Sequence, residues 1–234
     1  MTTPIRAKVK EVIQRNYNVK SIRLEPEVTG DFKAGQFLCV WLKDGDEYKR
    51  YLSISSSPTE KGYLEITKKI SQSVFSQTLD AVKPGDMLKV QYPMGKFTLD
   101  ESFPKVAFLS GGIGITPIRS MCKYALDKGL ATDIILLYAN RTPRDIVFGE
   151  DFTQMQEQSA RIRVFHVLCE AESNFHCIRG MINSEIVKTQ IPDFALRKFF
   201  LCGPPGMVES MRKMLAQELL VKRENIITEN FQGY

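Results

Sequence analysis

Histidine is almost missing from these 234 residues: His166 and His176 are the only two, and neither stands in a metal-binding or triad spacing. Hydrolase and zinc chemistry are therefore poorly supported, and both histidines are read as structural or surface residues. The five cysteines, Cys39, Cys122, Cys169, Cys177 and Cys202, are scattered, with seven residues between the closest pair and no C-x-x-C. That spacing argues against an iron–sulfur centre or structural zinc, and dispersed thiols in odd number fit a reducing cytoplasm. Long apolar runs are also missing. Nothing approaches the ~18 residues of a membrane span, and the opening MTTPIRAKVKEVIQ lacks an apolar signal core. A cytoplasmic protein without a membrane span is expected. Charge of one sign is not in large excess: the net +5 suits a solubilising surface or a basic face for phosphates or an acidic partner. It falls well short of the basic stripe of a nucleic-acid binder, so no nucleic-acid partner is expected. Paired-carboxylate constellations, internal repeats and low-complexity stretches are lacking too.

What is present is an ordinary globular composition, 43% hydrophobic and 25% charged, over a length that suits one large domain or two modest ones, each able to bury its own core. Residues 1–102 read as β structure. AKVKEVIQ, VKSIRLEPE, QFLCVWL, YLEITKKI and DMLKVQYP are short, partly alternating and rich in Val, Ile, Leu and aromatics. Turn signals such as Ala34-Gly35, Asp44-Gly45, Lys61-Gly62 and Pro84-Gly85-Asp86 separate them. Strands at this spacing predict a small antiparallel barrel. One helix is expected at Val74–Ala81, where Phe75, Leu79 and Val82 recur at helical spacing. Beyond the polar, proline-bearing TLDESFPK the rhythm changes. In residues 103–234 the apolar runs VAFLS, DIILLYA, IRVFHVL and KFFLCG have the compactness of buried parallel strands. Helical stretches lie between and after them: Ile118–Leu126, Asp151–Glu157, Asn183–Thr189 and Gly206–Leu219. A final strand is expected at Asn225–Thr228. The alternation predicts a doubly wound parallel α/β domain following the barrel.

Two loops in the second half point to phosphate binding. VAFLS runs into Gly111-Gly112-Ile113-Gly114-Ile115-Thr116-Pro117 and a helix follows. Glycines permit a sharp turn and close approach to a ligand, Pro117 suits the first helical turn, and the helix start favours a pyrophosphate. The pattern is not G-x-G-x-x-G, because Pro117 stands where the third glycine would be. A second loop, Cys202-Gly203-Pro204-Pro205-Gly206-Met207, closes another strand, so Cys202 sits at the carboxyl end where open α/β sheets bind ligands.

Taken together, AGQF (34–37), RYLS (50–53), SQSVFSQTL (71–79), KPGD (83–86), YPMGKF (92–97), GGIGITP (111–117), NRT (140–142), CGPPGM (202–207) and ENF near the end resemble the ferredoxin–NADP reductase superfamily. That resemblance covers nearly the whole chain. It implies an FAD-binding barrel at 1–102 followed by an NAD(P)-binding α/β domain at 103–234, with FAD ahead of FMN. It implies that Arg50 binds the flavin pyrophosphate, as a planar bidentate donor can, and that Ser53 lies near the flavin N5. Ser73 to Ser76 resemble the family's Gly-x-x-Ser turn, with Ser73 where glycine is usual. Gly95 belongs to the turn lining the diphosphate, and Tyr51, Lys68 and Phe75 are further flavin-side positions. The family's flavin-stacking aromatic is Leu52 here, and Tyr51, one place early, is expected on the opposite face. On the nicotinamide side the resemblance implies Gly112, Gly114, Thr116 and Pro117 at the pyrophosphate, with Cys202, Gly203 and Pro204 beside the nicotinamide. Glu229 lies by the flavin–nicotinamide contact, and Phe231 or Tyr234 forms a terminal aromatic lid.

The second long strand ends in Asn140-Arg141-Thr142-Pro143-Arg144, with no acidic residue until Asp145. An acid usually grips the ribose 2′-hydroxyl at this place. Arg141 and Arg144 could instead face a 2′-phosphate, so the reading leans to NADPH over NADH. The function implied is hydride transfer from NAD(P)H to bound flavin and delivery of electrons to a separate acceptor, which could be ferredoxin, flavodoxin or an oxygenase component. A reductase of free flavin and a non-catalytic electron-transfer subunit of a larger complex are the alternatives.

Overall fold

The computed structural model describes residues 3–27, 30–170 and 175–229, with Asp46 by its backbone only. Contacts divide the chain into two compact units, Met1–Leu99 with Thr116–Tyr124, and Asp100–Ile115 with Ala125–Tyr234.

Strands β1 (Ile5–Asn16), β2 (Val19–Pro26), β3 (Phe37–Trp41), β4 (Lys49–Ser53), β5 (Leu64–Lys69) and β6 (Met87–Met94) build the first unit, with helix α1 (Val74–Asp80) between β5 and β6. They form one antiparallel sheet in the order β4-β3-β6-β1-β2-β5. Its two ends meet at a bridge between Ile54, just past β4, and Ile66 of β5, so the sheet curls into a barrel. Period-2 alternation sends Ile22, Leu24, Leu38, Val40, Leu88 and Val90 into one interior cluster. Phe75 and Leu79, four apart on α1, join the same cluster and close one end of it. Ser73 caps α1 by accepting the Ser76 N–H at 3.3 Å. Residues 116–124 belong to this unit because Arg119, only 5% exposed, donates to the Glu60 carboxylate and to the Ser55 carbonyl, while Ser120 donates to the Ser56 carbonyl at 2.7 Å.

The second unit contains β7 (Lys105–Gly111), the two ends of α2 (Ile115–Asp127), whose middle at Thr116–Tyr124 belongs to the first unit, β8 (Asp133–Asn140), α3 (Gly149–Gln158), β9 (Ile162–Leu168), β10 (Ile178–Arg179), α4 (Ser184–Gln190), β11 (Lys198–Cys202), α5 (Pro205–Lys213) and β12 (Ile226–Glu229). All sheet pairs are parallel, in the order β10-β9-β8-β7-β11-β12. Strand order runs outward from β7 in one direction and from β11 in the other. The reversal therefore falls between β7 and β11. Three details differ from the periodicity. Helix α2 starts at Ile115, three residues earlier than expected, because a 3-10 turn at Gly112–Gly114 leads directly into it. After α5 the chain widens into a π-helical turn at Met214–Glu218, which buries the adjacent Met214 and Leu215 together. Strand β10 has two residues, too few to leave a periodic signature.

At the amino edge of this sheet an arginine is buried with its counter-ions. Arg197 is 1% exposed; it donates to Asp193 at 2.6 Å, to the Asp133 carboxylate at 2.5 Å, and to the carbonyls of Val106 and Asp133 at 3.1 and 2.9 Å. Lys105 also reaches Asp193, and Arg163 reaches Asp133, each at 2.8 Å. The starts of β7, β8 and β11 are thus tied together. Partial burial works to raise the Asp193 carboxyl, but hydrogen bonds from Arg197 and Lys105 outweigh it and hold that group at about 2. Breaking a buried pair from one side costs about 3–5 kcal/mol, so Arg197→Met should lose that much in urea unfolding. A carboxyl held low contributes fully above the ordinary carboxylate range near roughly pH 4 and loses its contribution as the pH falls toward 2. The acid-side fall in stability should accordingly be shallower in Arg197→Met than in the parent. Equal slopes would mean that Asp193 owes its acidity to other groups.

Candidate functional site

In the second unit the two glycine loops meet at the carboxyl edge, where the strand order reverses. At Gly114 a Cβ would stand 2.6 Å from the carbonyl carbon and oxygen of Cys202 and from Cα of Gly203, a separation that real Cβ atoms do not adopt. The loops touch backbone to backbone, and only glycine allows it. Gly112 has φ +52°, in the left-handed region that favours glycine. Thr116, 4% exposed, and Pro117 lie in the first turn of the thirteen-residue α2, whose dipole favours an anion at this end.

Across the same edge, register aligns Ser110 of β7 with Cys202 of β11, and Cys202 with Glu229 of β12. Residues in register on parallel strands share a face, so the three side chains form a row. The Cys202 thiol is fully buried. Burial first, and then the Glu229 charge, push the thiol's pKa well up, so it stays protonated. Glu229 is 9% exposed; burial pushes its carboxyl up to about 8, and its Oε2 meets no hydrogen-bond partner among the described residues. The Ser110 hydroxyl is in the same condition. Sequence reasoning passed over Ser110, although a polar residue closing the apolar run VAFLS at a ligand-binding edge was a readable signal. Gly203 and Pro204 continue the chain from Cys202 into α5, and a Cβ at Gly203 would stand 3.1 Å from the Gly111 nitrogen.

Asn140 ends β8. Its amide neighbours the Tyr138 hydroxyl but meets no partner at hydrogen-bond geometry. Arg141 is exposed and paired with Glu170 at 2.9 Å. Arg144 is exposed in the 3-10 turn Pro143–Asp145. Asp145, the first acid after the strand, turns back to accept the Thr142 N–H at 3.1 Å and the Thr142 hydroxyl at 2.8 Å. His166 is half-buried between the rings of Tyr138 and Phe175, its imidazole pushed down by burial and its Nδ1 without a partner among the described residues.

In the first unit β4 carries Arg50, Tyr51, Leu52 and Ser53, the positions the resemblance assigns to a flavin. Leu52 packs against the barrel interior, while Tyr51 is half-exposed and meets Phe37 edge-on at 5.8 Å. Tyr51 and Leu52 therefore occupy opposite faces. Arg50 lies 5.4 Å over the Phe75 ring and donates to the Lys49 and Glu47 carbonyls at 2.6 and 3.4 Å. The Lys68 ammonium is pulled down by burial and by the nearby charge of Arg50. Two cations held close enough to repel suit an anionic group. Nearby, the Ser71 hydroxyl donates to Ser73 at 3.2 Å and to Ser76 at 3.1 Å. Gly95, at φ +93°, offers its carbonyl to the Gln36 amide at 3.2 Å. Ser53 is 4% exposed and its hydroxyl has no partner among the described residues. Phe231 and Tyr234 lie outside the described residues. Among the described residues no group of three or more His, Cys, Asp or Glu could hold a metal ion, and no helix is long and apolar enough to cross a membrane.

A family model described as an oxidoreductase FAD-binding domain matches residues 4–99, and one described as an oxidoreductase NAD-binding domain matches residues 108–213. The chain is 32% identical to the glycine betaine monooxygenase reductase subunit of Pseudomonas aeruginosa, over 88% of this chain and 58% of that protein. It is 32% identical to the NADH oxidoreductase HCR of Escherichia coli, over 86% of this chain and 61% of that protein. The chain thus spans about three-fifths of the length of these curated relatives. Among solved structures, Amycolatopsis cytochrome P450 reductase GcoB superposes with a TM-score of 0.85 at 22% identity, covering 99% of this chain and 70% of that one. The cytochrome b5 reductase domain of Ulva prolifera nitrate reductase gives 0.84 at 22% identity, with 97% of both chains covered. These two structures share the fold. With an FAD-binding domain model matched on its barrel and an NAD-binding domain model on its parallel sheet, the chain belongs to the ferredoxin–NADP reductase superfamily.

Proposed function

We propose that this chain takes a hydride from NADH onto bound FAD and passes the electrons to a separate acceptor, an oxygenase component or a small electron-transfer protein. The observation that carries this reading is the buried row Ser110–Cys202–Glu229 beside the glycine contact at the strand-order reversal, in a chain matched by both domain models. When bound, the flavin accepts two electrons together and can release them singly. The residues supply the rest. Arg50 and Lys68 neutralise the flavin pyrophosphate, with Ser73 and Ser76 as hydroxyl partners. Leu52 covers the ring where an aromatic would stack, and Ser53 brings an unsatisfied hydroxyl that a flavin can satisfy. Gly112, Gly114, Thr116 and Pro117 receive the dinucleotide pyrophosphate. Cys202 and Glu229 orient the nicotinamide and keep water away, and Glu229, held protonated at neutral pH, serves as a donor. An oxygenase component is the favoured acceptor because a relative bears the name of a monooxygenase reductase subunit.

The choice of NADH departs from the lean of the sequence. Arg141 is engaged by Glu170, so a 2′-phosphate would have to compete for it, and two relatives are named for NADH.

The direct test is anaerobic mixing of the purified protein with NADH. The protein should be yellow, release FAD on denaturation, and bleach with NADH faster than with NADPH at equal concentration. A colourless protein that turns over only with added flavin would overturn the bound-flavin reading. Charge-assisted contacts are worth roughly 1.5–3 kcal/mol, so Arg50→Ala should weaken flavin binding about tenfold to a hundredfold. Unchanged affinity in a fluorescence titration would remove Arg50 from the pyrophosphate site.

Replacing Arg141 and Arg144 together by alanine should leave the ratio of kcat/KM for NADPH and NADH within about twofold of the parent if neither holds a 2′-phosphate. A fall of tenfold or more would restore the NADPH assignment.

Glu229 adds a pH signature. Its carboxyl titrates near 8 in the folded chain and near the ordinary roughly 4.3 when unfolded. Between those values the folded chain holds the extra proton, so stability falls as the pH rises and levels off above about 8. Glutamine cannot ionise. Thermal unfolding from pH 5 to 9 should therefore show Glu229→Gln gaining on the parent up to about pH 8 and no further. A gap that stays constant would mean that Glu229 is ionised in the folded protein.

A further inference from the structure

Tyr138 is 0% exposed on β8, yet its hydroxyl is fully engaged. It donates to the Gly112 carbonyl at 3.2 Å and accepts the Val147 N–H at 3.2 Å. Gly112 lies in the glycine turn, and Val147 follows the 3-10 turn that carries Arg144, which begins two residues after Arg141. One buried phenol therefore joins the two loops that flank the dinucleotide side of this sheet.

The consequence for the glycine turn follows from peptide planarity. The Gly112 carbonyl and the Ile113 N–H belong to one rigid plane. Gly112 sits at φ +52°, where glycine has wide freedom to rotate, and its carbonyl also accepts the Ile115 N–H. A second donor on that oxygen fixes the plane and, with it, the direction of the Ile113 N–H. On the other loop, Val147 precedes Phe148, a non-glycine residue at φ +61° that leads into α3. A left-handed phenylalanine costs free energy and persists only where its surroundings hold it. The Tyr138 oxygen holds the neighbouring amide. Burial pushes the phenol well up, so it stays protonated and remains a donor across the physiological range.

We propose that Tyr138 is a positioning residue that locks the glycine turn and the Arg141–Val147 loop into one preorganised dinucleotide-binding edge. This rests on the reading that the edge binds a nicotinamide dinucleotide. No part of the tyrosine touches the reacting atoms; its effect is on the affinity of the donor.

Tyr138→Phe removes only the hydroxyl and keeps the ring contacts with Phe152 and His166, whose centroids lie at 6.4 and 5.9 Å. Losing one ordinary hydrogen bond corresponds to about two- to twelvefold in binding. Tyr138→Phe should raise KM for NADH by about five- to tenfold, with most of the loss in KM and little in kcat. Amide exchange at Val147 should accelerate. Phe152→Leu, which disturbs the same packing without touching the hydroxyl, should lower Tm with no comparable rise in KM. An unchanged KM in Tyr138→Phe would overturn the proposal. So would equal KM shifts in the two variants, which would make the tyrosine a packing residue. Titration of the parent with NADH is the separate control: if the parent itself fails to bind, the functional reading falls before Tyr138 is tested.

Discussion

No side chain fits between Gly114 and the backbone of Cys202 and Gly203. That contact holds the loop after β7 against the loop after β11, the two strands between which the strand order reverses. A methyl group at Gly114 would force the loops apart, and the displacement would reach both the 3-10 turn that starts α2 and the carbonyl of Cys202. The alignment of Ser110, Cys202 and Glu229 follows from the same approach of β7 to β11 and of β11 to β12. One steric constraint, set by the lack of a single Cβ, thus fixes the turn, the helix start and the row.

Much of this was legible in the sequence because it is written in periodicity and in glycine. Short, partly alternating runs gave β1, β2, β3, β5 and β6, the resemblance of RYLS gave β4, and compact apolar runs gave β7, β8, β9 and β11. The loops GGIGITP and CGPPGM pointed to the carboxyl edge, where the structure brings them together. What escaped lay in residues whose role depends on their neighbours across the sheet. Tyr138 reads as one more aromatic in the run DIILLYA, and nothing local tells that its hydroxyl reaches Gly112, twenty-six residues away along the chain. Ser110 reads as the end of a strand until register places it beside Cys202. Arg197 reads as a loop arginine until Asp133, far off in sequence, is found against it. The helix expected over Gly206–Leu219 is present as α5 and the turn that continues it to Glu218; only the π-helical period of that last turn, where Met214 and Leu215 are both buried, left no sign in the sequence.

The site residues also divide by how their chemistry announces itself. Arg50 carries a charge that needs a partner wherever the chain folds, and the family resemblance of RYLS is what pointed that charge at an anion. Glu229 and Cys202 become unusual only on burial, which makes both weaker acids. A sequence can display such residues but not the low-dielectric surroundings that change them. Arg141 shows the converse. Its type suggested a phosphate, while the fold supplies Glu170 at 2.9 Å as a ready counter-ion. The pair is solvent-exposed, so it is weak, and it remains open to competition from a ligand.

The two edges of the parallel sheet treat their polar groups in opposite ways. At the amino edge every charge of the Arg197 group is met: two carboxylates, two backbone carbonyls, and further cations on each carboxylate. At the carboxyl edge the reverse holds. Among the described residues of this unit, the buried side-chain atoms left without a hydrogen bond belong to Ser110, Asn140, His166 and Glu229, each within the last three residues of a strand. An unsatisfied buried polar group costs about 1–3 kcal/mol, so four at one edge and none at the other is not what stability alone would leave. The closed network at the amino edge ties three strands together while the carboxyl edge keeps its polar atoms unspent. Groups held ready in this way lose little further freedom when a polar ligand reaches them, which is the physical content of preorganisation. The stability given up at one edge of the sheet is the affinity available there.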